Sequence, residues 1–232
     1  ICMFAIMKHE VIPPLTLLWY KGLGFSILAV IVLIFILKNR KKHEQDLFLR
    51  LMSVSFFTAW IYAIFYEINN GIWTIEDSLP LHLCRVSFII CIIASWRPKQ
   101  WMFEWCLYLA IPAGLHAILT PELTMGRSNW LLFHYYLTHA AMLFVPLYLS
   151  FVKKMKARRN SWWKIVLYLQ ILVIINFPLN FLVDANYMYL HHKPLADNPF
   201  LIGEWPWYII ILEAVMILHV VIIRLIFKTT RK

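Results

Sequence analysis

"TLLWYKGLGFSILAVIVLIFILKNRKK", residues 16–42, carries both signals that decide the fold. Residues 16–37 form an apolar run close to the ~20 residues an α-helix needs to cross ~30 Å of hydrocarbon. Lys38, Arg40, Lys41 and Lys42 follow at once. Basic residues packed against the end of such a run mark the side that stays in the cytoplasm.

The same pattern repeats along the chain. Apolar runs cover about 16–37, 47–66, 80–96, 101–119, 130–150, 164–183 and 207–227. At this length only a helix satisfies its own backbone in lipid. Pro80 is expected to open the third run, where a missing N–H costs nothing. Thr120-Pro121 closes the fourth, and Trp205-Pro206-Trp207 opens the seventh. The connections alternate in charge. Arg97 and Lys99, then Lys153, Lys154, Lys156, Arg158 and Arg159, and finally Lys228, Arg231 and Lys232, fall on the side of the first basic loop. The others hold Glu76, Asp77, Glu122, Asp197 and Glu204, with only Arg127 and Lys193 as basic residues. The expectation is an all-α membrane bundle of seven transmembrane helices, with residues 1–232 as one integral membrane domain. The N-terminus is expected outside and the C-terminus in the cytoplasm.

Composition agrees. Residues of hydrophobic type make up 62% of the chain and charged residues 15%, against roughly 45–50% and 25% in soluble domains. The net charge of +10 follows from the basic loops, so nucleic acid is not the expected partner; membrane lipids are. No short apolar core precedes a small-residue cleavage site, so no signal peptide is read. The chain begins at Ile1, which suggests a fragment or a start at Met3 or Met7. Cys2, Cys84, Cys91 and Cys106 form no CxxC pair. On one helix Cys84 and Cys91 stand about 10 Å apart, too far to bridge. Neither a disulfide framework nor a zinc cage is supported.

Polar residues inside the runs gather towards the side assigned outward. They include His82, Cys84 and Arg85 in run three, His116 in run four, and His134 and His139 in run five. Asn176, Asn180 and Asp184 recur at i, i+4 and i+8 as one stripe of run six, and Glu213 and His219 lie in run seven. Glu67 ends run two, and Glu104 is the main exception at the inner side. Intramembrane ionisable groups usually face the bundle interior and carry function; the competing reading is interhelical hydrogen bonding. Arg85 is expected to snorkel towards head groups. Cys84, Ser87, Cys91 and Ser95 form a small-residue face suited to close helix packing. Cys84 differs by lying near a helix N-terminus, where the dipole favours a thiolate. A cysteine beside a histidine that can take its proton is a nucleophile–base arrangement. His134 and His139, five apart, do not stack on one helix face, and His191-His192 has no third ligand, so no metal site is expected. No cofactor is called for.

"LPLHLCRVSF" (79–88), "FHYYLTHAAMLFVPLYL" (133–149), "NFPLNFLVDANYMYLHHKP" (176–194) and "GEWPWYIIILE" (203–213) resemble the YwaF-like family of bacterial integral membrane proteins. That family looks related to the eukaryotic transmembrane-protein-164 group of acyltransferases, which move fatty acyl chains between phospholipids through a Cys thioester. It is more distantly similar to membrane hydrolases of the androgen-induced-gene type, which use a Thr and a His. The resemblance implies Cys84 as nucleophile and His139 as base, in a bacterial plasma membrane. His82, Arg85, His134, Asn176, Asn180 and Asp184 would bind substrate or support, from behind, the residues that do. By the run boundaries His139 lies some 7 Å deeper than Cys84, so His134 and His82 stand as alternative bases. A lipid acyltransferase or hydrolase is one function. A transporter or ligand-binding protein with an outward polar cavity, or a structural membrane subunit, fits the same residues.

Overall fold

The computed structural model describes residues 9–196 and 198–227. The expectations on Cys2, Met3, Met7, Asp197, Lys228, Arg231 and Lys232 lie outside the described residues. The helices are α1 (Leu17–Lys38), α2 (Lys42–Asn69), α3 (Leu83–Trp96), α4 (Gln100–Leu119), α5 (Asn129–Phe151), α6 (Ser161–Leu182) and α7 (Trp207–Ile226). Each occupies one apolar run. Their ends carry local signals: Thr16 and Ser128 accept hydrogen bonds from the amides of Trp19 and Leu131, capping α1 and α5. A two-residue antiparallel pairing of β1 (Glu10–Val11) with β2 (Glu122–Leu123) is the only sheet among the described residues.

Six of the helices are long and apolar enough to cross a membrane. The exception is α3, whose 14 residues rise about 21 Å. Pro80 does not open it. Residues 79–81 form a turn in which the Leu81 amide donates to the Leu79 carbonyl, and the helix starts only after its N-cap, His82. The start is also recessed. Asn176 Nδ2 donates to the Leu81 carbonyl at 2.9 Å. Asn176 lies six residues inside the end of α6 at Leu182, so α3 begins about 9 Å below that end.

In α4 the turn Cys106–Ala110 is π-helical. Pro112 explains it, because the ring has no N–H to donate and crowds the carbonyl four residues back. The core lies where α3, α4 and α5 meet, with Leu107, Tyr108, Met142 and Leu149 fully buried. The small-residue face of α3 packs there. Ser87 Oγ accepts from Trp105 Nε1 at 3.1 Å, and Cys91 Sγ lies 3.5 Å from Cys106 Sγ. The surrounding helices α1, α2, α6 and α7 expose Phe35, Leu51, Ile174 and Leu225, an apolar surface that contacts lipid.

The loops alternate between two ends. At the basic end, buried Glu104 accepts from Arg158 through Nε at 2.9 Å, Nη2 at 2.6 Å and the backbone amide at 2.8 Å. Lys153 pairs with Asp46 there at 2.5 Å. At the other end, three segments knit together into a cap. Trp19 Nε1 donates to the Leu119 carbonyl at 2.8 Å, His9 pairs with Glu122 at 2.9 Å, and Tyr187 Oη donates to the Ile75 carbonyl at 2.5 Å.

Candidate functional site

Beneath the cap lies a cavity of about 410 Å³, walled by α2, α3, α4, α5 and α7 and roofed by residues of 188–196 and 198–201. Its size falls in the range of small-ligand sites. Most of the lining is apolar, including Trp60, Phe88, Met142 and Leu212. The polar side chains in the wall are therefore few and identifiable.

The roof is held under constraint. Asn180, fully buried on α6, grips Tyr187 from both sides: its Oδ1 accepts from the Tyr187 amide at 2.8 Å and its Nδ2 donates to the Tyr187 carbonyl at 2.9 Å. Met188 and Tyr189 follow with φ of 59° and 56°, left-handed values that cost a residue with a side chain roughly 1–3 kcal/mol each. Surrounding bonds over-determine this conformation. Tyr208 Oη donates to the Tyr189 carbonyl at 2.7 Å, and Asn176 Nδ2 meets Met188 Sδ at 3.0 Å. Asn176 and Asn180 therefore build the roof and do not line the cavity. Asp184 is neither: α6 has ended at Leu182, and Asp184 sits exposed in the following turn at φ 50°. The i+8 extension of the stripe ran past the end of its helix.

Cys84 lies in the first turn of α3, half-buried, with its side chain in the cavity wall. Among the described residues no side chain caps this helix, and the amides of Leu83, Cys84 and Arg85 donate to no carbonyl. Uncapped first-turn amides form a natural oxyanion cradle. Arg85 lines the same wall but does not snorkel. It bends back to the Ser78 carbonyl, and its Nη2 stands 3.9 Å from Glu67 Oε1. The recessed start of α3 puts the Ser78 carbonyl and a carboxylate nearer than the head groups.

The three candidate histidines all line the cavity, and their hydrogen bonds differ. His82 Nδ1 accepts from the Met188 amide at 3.2 Å, which leaves the proton of the neutral ring on Nε2. His134 has Nε2 buried without a partner and stacks near Trp130 at 5.9 Å. His139 is 8% exposed and places Nδ1 2.7 Å from the Tyr135 carbonyl. A carbonyl only accepts, so Nδ1 carries the proton and Nε2 presents a lone pair. His139 lies ten residues into α5, and the recess of α3 sets Cys84 deeper than the run boundaries placed it.

Other lining residues were visible in the sequence as polar but were not assigned to the site. His116 on α4 and His219 on α7 meet at 3.2 Å, Nε2 to Nε2, and Glu213 lines the cavity from α7, where its Oε2 accepts from Gln170 at 2.8 Å. Glu67 contributes from α2. Tyr135, whose hydroxyl donates to the Ala117 carbonyl at 2.7 Å, carries no sequence signal that separates it from a packing aromatic. Among the described residues no three potential ligands converge on a metal position.

Six membrane-length helices among the described residues, an apolar outer surface and a capped cavity define a polytopic membrane protein. The chain belongs to the TMEM164 family, whose model matches residues 9–224. No curated protein and no solved structure matches it.

Proposed function

We propose that this chain is a membrane-embedded enzyme that takes an acyl group from a membrane lipid onto Cys84, with His139 as the base. The observation that carries the reading is the fixed tautomer of His139: Nδ1–H is committed to the Tyr135 carbonyl at 2.7 Å, so the basic nitrogen is the one left over. His82 lacks that feature, because its Nδ1 is occupied by the Met188 amide. Among the described residues no hydrogen bond fixes the tautomer of His134, whose ring packs on Trp130.

A bare thiolate is costly in this apolar wall. The Cys84 proton therefore passes to His139 Nε2 as Sγ bonds to the ester carbonyl carbon. The amides at the start of α3 and the Arg85 guanidinium face the developing oxyanion. Collapse breaks the ester C–O bond, the alcohol leaves with the proton held by His139, and the acyl chain remains as a Cys84 thioester. Transfer to an alcohol or to water completes the cycle.

The membrane setting belongs to the same proposal. α3 completes a seven-span bundle with the basic end in the cytoplasm, the N-terminus outside and the C-terminus inside, in a bacterial plasma membrane as for YwaF-like proteins. The cavity then serves the outer leaflet.

The test is acyl turnover of labelled phospholipid by the purified chain in proteoliposomes. Cys84→Ala and His139→Ala are expected to lose at least about 10²-fold, and His82→Ala to retain turnover within about tenfold. Undiminished turnover in Cys84→Ala overturns the reading.

A further inference from the structure

His116 and His219 form a second polar group lining the same cavity, on α4 and α7 where Cys84 and His139 are on α3 and α5. Their hydrogen bonds fix which nitrogen carries each proton. His219 Nδ1 lies 2.7 Å from the Val215 carbonyl. That carbonyl only accepts, so His219 carries its proton on Nδ1 and, as a neutral ring, offers a lone pair at Nε2. His116 Nε2, 3.2 Å away, must then be the donor. A third proton shared by this pair would put a charge in an apolar wall. The chain of bonds runs Val215 carbonyl, His219, His116, and it ends at His116 Nδ1. That nitrogen is a lone pair with no hydrogen-bond partner among the described residues. The ring is held edge-on by Phe200 of the cap, 5.5 Å between centroids.

Packing alone does not require this arrangement. A structural histidine pair uses its nitrogens on the protein, whereas here the terminal one is left basic, oriented by its neighbour and in a cavity wall. His139 ends in the same way, through the Tyr135 carbonyl. The cavity thus offers two oriented basic nitrogens on two walls. A reaction with two half-steps, each needing a proton removed from a different molecule, uses two.

We propose that the His116–His219 pair is the proton-accepting site for the alcohol that removes the acyl chain from Cys84. The proposal rests on the acyl-enzyme reading above. The acceptor hydroxyl gives its proton to His116 Nδ1 as its oxygen bonds to the thioester carbonyl carbon. The C–S bond breaks, and the imidazolium returns the proton to the departing Cys84 sulfur. The acceptor is a hydroxyl compound, either a lysophospholipid with a free glycerol hydroxyl or water.

The experiment separates the half-reactions. The full chain in detergent–lipid micelles is acylated by a radiolabelled phospholipid. The protein-bound label is then chased with lysophospholipid or with buffer alone, counting new phospholipid against free fatty acid. His116→Ala and His116→Gln are compared, because Gln keeps a donor to His219 Nε2 but has no basic nitrogen. Both are expected to load Cys84 normally and to discharge it about 10²–10⁴-fold more slowly. The slowing appears in the lysophospholipid chase if the acceptor is a lipid, and in the buffer chase if it is water. His139→Ala is expected to fail at loading. Wild-type discharge rates in both His116 variants overturn the proposal while leaving the acyl-enzyme standing. So does equal loss of loading and discharge in both, which marks a packing role. A wild-type chain that never loads label removes the acyl-enzyme itself, and this proposal with it.

Discussion

Asn180 grips the backbone of Tyr187 from both sides, accepting from its amide at 2.8 Å and donating to its carbonyl at 2.9 Å. One buried side chain on α6 thereby holds two left-handed residues, Met188 and Tyr189, over the start of α3. Asn180→Ala leaves the Tyr187 amide unpaired and its carbonyl with only the Leu190 amide at 3.4 Å, a loss of about 1–3 kcal/mol for buried polar groups. The variant is expected to fold with a lower Tm and to show faster amide exchange at 187–190, and acyl turnover should fall with it. Wild-type exchange in that segment would show that the roof holds without the clamp.

The thiols should separate by reactivity. Cys84 is half-buried on the cavity wall, whereas Cys91 and Cys106 are wholly enclosed with their sulfurs 3.5 Å apart. In a Cys2→Ser background, a small membrane-permeant maleimide is expected to modify Cys84 at least about tenfold faster than either. Peptide mass mapping reads the outcome, and first labelling at Cys91 would contradict the placement.

Gly114 on α4 packs against the backbone of His139. An added Cβ would lie 2.9 Å from the His139 carbonyl and 3.1 Å from Met142 Cβ, contacts the backbone of α5 must move to relieve. Gly114→Ala is expected to cost about 1–3 kcal/mol by overpacking. It should reduce turnover at a temperature where the variant is fully folded, because the shift falls at His139 itself. Unchanged Tm and unchanged turnover would show that the interface yields without cost.

The cap should loosen in acid through Glu122, which bonds to His9 and to the Ala196 amide. Burial pushes this carboxyl up, but the His9 ring and the Ala196 and Leu195 amides push it down and prevail, so it titrates below the usual 4.5. A carboxyl lowered by folding contributes stability that is present above its unfolded pKa and lost as pH falls through the folded one. Cap protection from amide exchange, corrected for intrinsic rates, is therefore expected to hold from pH 7 down to about 5 and to drop below about 4. Glu122→Gln should remove that drop. An identical acid transition in the variant would assign it to other groups.

The helices were legible in the sequence because hydrocarbon demands long apolar runs, and each observed helix falls in one. The start of α3 was not legible. Pro80 reads as a first-turn proline, and nothing local signals that Asn176 of another helix holds Leu81 some 9 Å below the α6 end. From that recess follow the deeper position of Cys84 and the inward turn of Arg85. The polar stripe of run six was a real signal: Asn176 and Asn180 hold the cap over the cavity, and Asp184 lies beyond the helix. The roles of the histidines depend on which nitrogen meets a carbonyl, and spacing along the chain carries no information on that. His116 and His219, 103 residues apart, could only be paired in three dimensions.

The central claim is a covalent acyl group on Cys84, and peptide mass spectrometry after incubation with a defined phospholipid tests it most directly. The account predicts a mass increase on the Cys84 peptide equal to one acyl chain, released by hydroxylamine, missing in Cys84→Ser and strongly reduced in His139→Ala. Lipid acyl turnover by the wild-type chain with no acyl group on Cys84 at any time would contradict it.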